Sequence, residues 1–153
     1  MRNVQEPDAG APHALLRIST DGYTWVQPGR ACESAANSRG GIAVSANSIY
    51  IGARNLKDQV RGVSGEAPKG LASGEIRVSA GEPHVLAYTV GWQRGDWQYS
   101  CHAARSFVPV EGAHYQMVTL SDAATRTCGV AVTRLLPTPA VVETTEAPQC
   151  AAS

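Results

Sequence analysis

Two strand-length runs that must fold back on each other constrain this chain more than anything else in it. They read His84-Val85-Leu86-Ala87-Tyr88-Thr89-Val90-Gly91-Trp92 and Trp97-Gln98-Tyr99-Ser100-Cys101, joined by Gln93-Arg94-Gly95-Asp96. β-Branched and aromatic residues bounded by a Gly-containing turn specify a hairpin, and a hairpin is stable only when one of its faces is covered. With the turn centred between Arg94 and Gly95, Trp92 stands opposite Trp97 and Val90 opposite Tyr99. Such cross-strand pairs each contribute roughly 0.2–1 kcal/mol. The chain must therefore supply a second layer.

The rest of the sequence has the same texture. Residues 14–20 run into Asp21-Gly22 and return as Tyr23-Thr24-Trp25-Val26-Gln27 before Pro28-Gly29. Residues 42–51 alternate apolar and small polar side chains, and residues 75–78 form a short strand ahead of the Gly81-Glu82-Pro83 turn. Ser106-Phe107-Val108 turns at 109–112 into a strand over 114–120, and a polar turn at 121–126 leads into 127–135. Only residues 31–37 and 53–61 are compatible with helix, and isolated helices that short are marginal. Eight or nine short strands at this spacing predict an all-β fold, an antiparallel β-sandwich of immunoglobulin-like or similar type, over residues 14–136. Residues 1–13 read as a polar N-terminal tether. Residues 137–153, rich in Pro, Thr and Ala, read as a mobile C-terminal tail. Residues 52–74 carry Gly, Pro and polar side chains and form one long loop, of the kind that is functional or disordered in a compact domain.

Cys32, Cys101, Cys128 and Cys150 are too far apart in sequence for the paired-thiolate spacing of a zinc knuckle. They are candidates for disulfides in an oxidising compartment; the alternative is buried free thiols in a cytosolic protein. If the second half is a flat meander with turns near 110 and 124, Cys101 lies opposite about Leu120 and Cys128 opposite about Thr119. Two interstrand spacings of about 4.8 Å would then separate them, beyond the ~7 Å Cα limit of an unstrained bridge. A Cys101–Cys128 bond is disfavoured on that geometry. Cys32 becomes the expected partner of one of them, with Cys150 pinning the tail to the other or staying unpaired.

Thirteen basic side chains balance thirteen acidic ones, which argues against a dedicated binder of nucleic acid or an anionic membrane, because both need a net basic face. There is no nucleophile elbow, metalloprotease motif, P-loop or dinucleotide Gly pattern, and no cofactor is expected. Cys101 and His102 are neighbours, but adjacent strand side chains point to opposite faces. His102 and His114 could meet if their strands pair, although ordinary strand histidines are the simpler reading. Asp96 and Glu111 lie in predicted turns, where acids are common. Arg94-Gly95-Asp96 spells the integrin-recognition tripeptide at the hairpin tip, and reads first as a tight turn that needs Gly for positive φ. The candidate binding surfaces are Trp92, Arg94, Asp96 and Trp97 at that tip, and Asn55, Lys57, Asp58 and Arg61 in the long loop.

The first strand Leu16-Arg17-Ile18, Gln27-Pro28-Gly29 followed by Cys32, and Ala80-Gly81-Glu82-Pro83 before an apolar strand form an ordered set of features. Cys101, then Ser106-Phe107-Val108-Pro109 with Gly112 and Tyr115, then Cys128 ahead of Val130-Ala131-Val132 complete it. Over residues 14–135 this order resembles small secreted or lipid-anchored bacterial envelope proteins of largely unknown function. The resemblance implies a β-sandwich facing the periplasm or the exterior that serves as a binding partner or inhibitor, and it implies no catalytic residues. The polar lead-in reads as the start of a mature chain whose export signal was replaced by the initiating Met, with a lipid anchor compatible with the native form. The expected function is thus non-enzymatic: binding another protein, as an immunity protein or hydrolase inhibitor does. The alternatives are a carbohydrate-binding module using Trp92, Trp97 or Trp25, and an accessory domain of an envelope assembly or secretion machine.

Overall fold

The computed structural model describes residues 2–47 and 52–151. They form two sheets and, among the described residues, no helix. The strands are β1 (His13–Thr20), β2 (Tyr23–Pro28), β3 (Gly41–Ser45), β4 (Ala72–Ser79), β5 (His84–Arg94), β6 (Trp97–Phe107), β7 (His114–Asp122), β8 (Thr127–Leu136), β9 (Ala140–Val141) and β10 (Thr145–Glu146). The first sheet has the order β4-β1-β7-β8-β9 and the second β10-β6-β5-β2-β3. Pairing is antiparallel except between β1 and β7, which run parallel with Leu16 beside Tyr115. The expected β-sandwich is what the chain forms.

Period-two alternation explains the core. Leu16 and Ile18 of β1, Ile76 and Val78 of β4, Met117 of β7 and Val132 of β8 turn inward from the first sheet. Val26, Val44, Leu86 and Phe107 meet them from the second. Fully burying such a side chain contributes about 1.5–3 kcal/mol. A smaller cluster, Val85, Ala87, Ala104 and Ala147 with Trp25 against it, lies on the opposite face of the second sheet. Tyr88 is wholly buried between the sheets, and its hydroxyl donates to the Asp21 carboxylate. Burial first, then Asp21, push this phenol up to about 12.

Several sequence expectations need correction. The second half is not a flat meander, because residues 108–113 carry the chain from one sheet to the other and β6 never pairs with β7. Cys101 on β6 and Cys128 on β8 therefore face each other across the sandwich, 6.1 Å apart at Cα, and are bonded. Cys32 bonds Cys150, with Cα atoms 4.9 Å apart. The pairing disfavoured on the meander geometry is the one that forms. Two disulfides place the chain in an oxidising, non-cytoplasmic compartment. No helix among the described residues is long and apolar enough to cross a membrane.

Among the described residues, both terminal segments are fastened to the sandwich. β9 pairs with β8, β10 pairs with β6, and Cys150 is covalently held. At the other end, Val4 is buried in the core and its N–H donates to the Ile42 carbonyl at 3.0 Å. The strand expected over 42–51 spans Gly41–Ser45, and residues 48–51 lie outside the described ones. The hairpin turn sits one residue later than expected. Arg94 pairs with Trp97 and Trp92 with Tyr99, leaving Gly95 and Asp96 as a two-residue loop. Gly95 has φ +57°, as the first central residue of a type II′ hairpin turn does.

Candidate functional site

The two regions that the sequence marks for binding are built in opposite ways. In the long loop, Asn55 is consumed locally. Its carboxamide accepts from the Ser45 N–H at 2.9 Å and donates to the Ser45 carbonyl at 2.6 Å. Arg61 pairs with Glu6 at 2.8 Å, and the Arg77 N–H donates to the same carboxylate at 2.7 Å. Burial alone would raise Glu6, but Arg61 and the Arg77 N–H hold it below the usual carboxylate range. Glu75 Oε1 accepts from the N–H groups of Arg61, Gly62 and Val63 at 2.8, 2.8 and 3.0 Å. Desolvation would raise Glu75 as well; the three N–H bonds and nearby Arg17 leave it lowered.

Arg17 completes the strap. It projects from the outer face of β1 and is 4% exposed. Its guanidinium donates to the carbonyls of Ser64, Gly65 and Glu66 at 3.2, 3.1 and 3.1 Å and to Gln116 Oε1 at 2.5 Å. Glu75 lies 3.7 Å away as its counter-charge. On the neighbouring strand, His114 Nδ1 accepts the Ser64 N–H at 3.0 Å. Gly74 is required where the strap crosses β4, because a Cβ there would overlap the Leu56 carbonyl. Of the four loop candidates, Asn55 and Arg61 are structural, while Lys57 and Asp58 stay exposed.

The hairpin tip carries no such strap. Its register puts Val90, Trp92, Arg94, Trp97, Tyr99 and Cys101 on one face, the face turned toward β8 by the Cys101–Cys128 bond. Trp92 and Tyr99 are half-buried, Arg94 and Asp96 exposed, and Trp97 is 70% exposed. Arg126, from the turn between β7 and β8, lies 3.9 Å over the Tyr99 ring and donates to its hydroxyl at 2.9 Å. Aromatic rings and guanidinium groups thus share one projecting face.

A third cluster escaped the sequence reading. On the outer face of the second sheet, His102 stacks on Trp25 with ring centroids 5.4 Å apart. Its Nδ1 lies 3.0 Å from Thr89 Oγ1, and its Nε2 lies 2.9 Å from the Glu33 carboxylate. Glu33 also accepts from Gln149 Nε2 at 3.2 Å, and its backbone pairs with Pro148 and Cys150. The arrangement fastens the Cys32–Cys150 clasp to the sheet. Positions 33, 89 and 102 share no local pattern: the register of β5 with β6 sets Thr89 beside His102, and the Cys32–Cys150 clasp brings Glu33 to them. His102 and His114 do not meet, since β6 and β7 belong to different sheets. Among the described residues no three metal-ligating side chains converge. No known protein family, curated protein or solved structure matches this chain.

Proposed function

We propose that this chain is a non-enzymatic binding protein of the bacterial envelope that engages another protein through the tip of its β5–β6 hairpin. The observation that carries the reading is the shared face of Trp92, Arg94, Trp97 and Tyr99, with Trp97 exposed on a projection pinned at its root by a disulfide. Trp, Tyr and Arg dominate the energetics of protein interfaces, and a pre-organised hairpin loses little entropy when it docks. Insertion of the tip into a partner's cleft would block it sterically, the mode of an immunity protein or hydrolase inhibitor. Affinity capture from envelope extract of the source bacterium tests this directly. A specific partner should be recovered by the native chain, and Trp97→Ala should weaken it by about 2 kcal/mol or more. Equal recovery by both chains refutes the reading.

A second reading rests on the same tryptophan: an exposed indole can stack on a sugar ring. Tryptophan fluorescence that shifts with one member of a glycan panel and is lost in Trp97→Ala would favour it over protein binding.

A further inference from the structure

The tail that closes the second sheet stops short, and the stopping point is informative. β10 lies antiparallel on β6, with Thr145 opposite Ser106 and Glu146 opposite Arg105, and the Ala147 N–H donates to the Ala104 carbonyl at 3.0 Å. Pro148 comes next and has no N–H to continue the ladder. Its carbonyl accepts instead from the Glu33 N–H at 2.8 Å, and Cys150 is drawn to Cys32. From Ala103 back to Trp97, β6 is bonded to β5 on one side and, among the described residues, to no strand on the other.

Along an antiparallel strand the N–H and C=O of a residue point to the same side, and successive residues alternate. Because Ala104 faces β10, the residues Gln98, Ser100 and His102 present theirs to the open side. Sheet edges are normally blunted by Lys, Pro, a bulge or a covering segment. The sequence Trp97-Gln98-Tyr99-Ser100-Cys101-His102-Ala103 contains neither Lys nor Pro, and its pairing with β5 has no bulge. By contrast, the β3 edge is covered by Asn3 and Val4, and the β4 edge by Asp58 and Gln59. At the His102–Ala103 end of the open stretch, a groove of about 490 Å³ opens beside β10 toward β8; its lining is mixed, with Ala103, Ala104 and Val130 beside Glu33, Arg105 and Glu146.

We infer that the open edge of β6, residues 97–103, takes up an extended segment of the partner protein as an added strand, one with apolar residues at alternate positions. The occupant continues what β10 begins on the same edge. One side of the added strand would extend the face that carries Trp97 and Tyr99, whose rings call for apolar side chains beside them. The other would extend the polar row Gln98, Ser100 and His102. A second copy of this chain fits less well. Pairing two β6 edges about Ser100 sets the partner's Asp96 opposite Ala104, the place that Ala147 fills, so only shorter registers remain. The inference rests on the protein-binding reading and names its mode.

Hydrogen–deuterium exchange on the oxidised full chain tests it, with a valine–threonine alternating heptapeptide, one lysine at each end, as the probe. In the free chain the Gln98, Ser100 and His102 amides should exchange fast; saturating peptide should slow them about tenfold or more. Ser100→Pro removes one outward N–H without touching the β5 ladder and should abolish this protection. The same peptide N-methylated at alternate residues, which keeps its side chains but cannot pair, should not protect the native chain. Strand addition is overturned if the amides stay fast with peptide, if the methylated peptide protects equally, or if protection appears without peptide and grows with protein concentration. Fast amides in the presence of peptide leave the hairpin-tip reading standing, because that is decided by capture with Trp97→Ala. Capture indifferent to Trp97→Ala with protected amides does the reverse.

Discussion

The loop over 56–66 and the hairpin tip over 91–99 are both polar, Gly-containing excursions from a β-sandwich, yet one is fastened and the other projects. The loop lies on charged groups that the sheet buries for it: Arg17 feeds its carbonyls and Glu75 gathers its N–H groups. The tip depends on its own cross-strand register, on the Arg126 contact with Tyr99 and on one disulfide at its root. An irregular segment is thus held rigid by the strand residues beneath it as much as by its own composition. A surface that must meet a partner is better made from the segment whose side chains are not already spent. Asn55 and Arg61 are spent; Trp97 is not.

The largest expected effect breaks the fastened side of this comparison. Arg17→Ala strands three carbonyls and leaves Glu75 without its counter-charge, and removing one partner of a buried pair costs about 3–5 kcal/mol. Urea denaturation should show that loss. Trypsin should then cut at Lys57, Arg61 or Lys69 in the variant well before it attacks the native chain. The projecting side is next. Replacing Cys101 and Cys128 with Ser opens a closed loop of 27 residues, worth about 3.5 kcal/mol on the chain-entropy view. The same denaturation experiment measures it, and faster amide exchange over 91–101 with the 56–66 loop still protected would show that the two regions are held independently.

What the sequence disclosed divides along the same line. The strands were legible because alternation is local: Leu16 and Ile18, or Leu86 and Tyr88, declare a buried face within a few residues. The sheet to which each strand belongs was not, since a turn such as 109–112 can close a hairpin or carry the chain across the sandwich with similar residues. That one ambiguity produced the wrong disulfide pairing. Arg17 reads as an ordinary outward residue of a first strand, and its partners lie at 64–66, 75 and 116, so the strap had no local signal. The Glu33, Thr89 and His102 cluster was hidden for the same reason. The tip was legible, apart from a one-residue shift of its turn, because Trp92, Tyr99 and Trp97 sit within a single hairpin.

Acid should sharpen the contrast with a smaller effect. Glu6 and Glu75 both have folded pKa values below their ordinary value of 4.5 and both anchor the loop. A depressed carboxylate contributes stability that is present above its unfolded pKa and is lost as pH falls through the folded one. His84, whose pKa burial lowers from 6.5, acts on the whole fold in a higher window, weakening it as pH falls below 6.5 toward the folded value. A pH series of exchange measurements should therefore show general loosening first. Selective release of 56–66 should follow below about pH 4.5, with the tip amides unchanged through that second step. Glu75→Gln should remove much of the second step, because the amide oxygen still accepts N–H bonds but no longer titrates.

The smallest effect on stability is expected at the residue most important for binding. Trp97 is 70% exposed and its opposite neighbour is Arg94, so Trp97→Ala removes little buried area and one cross-strand pair. Surface substitutions of this kind change stability by about 0.5 kcal/mol or less. The thermal midpoint should hardly move, and the hairpin register should persist because Trp92–Tyr99 and the disulfide are untouched. Partner capture should nevertheless fall sharply, since an exposed indole gains its burial only in the complex. A Trp97→Ala chain that unfolds several degrees early would mean that this ring is buried and structural in solution. The division between a fastened loop and a free tip would then have to be abandoned.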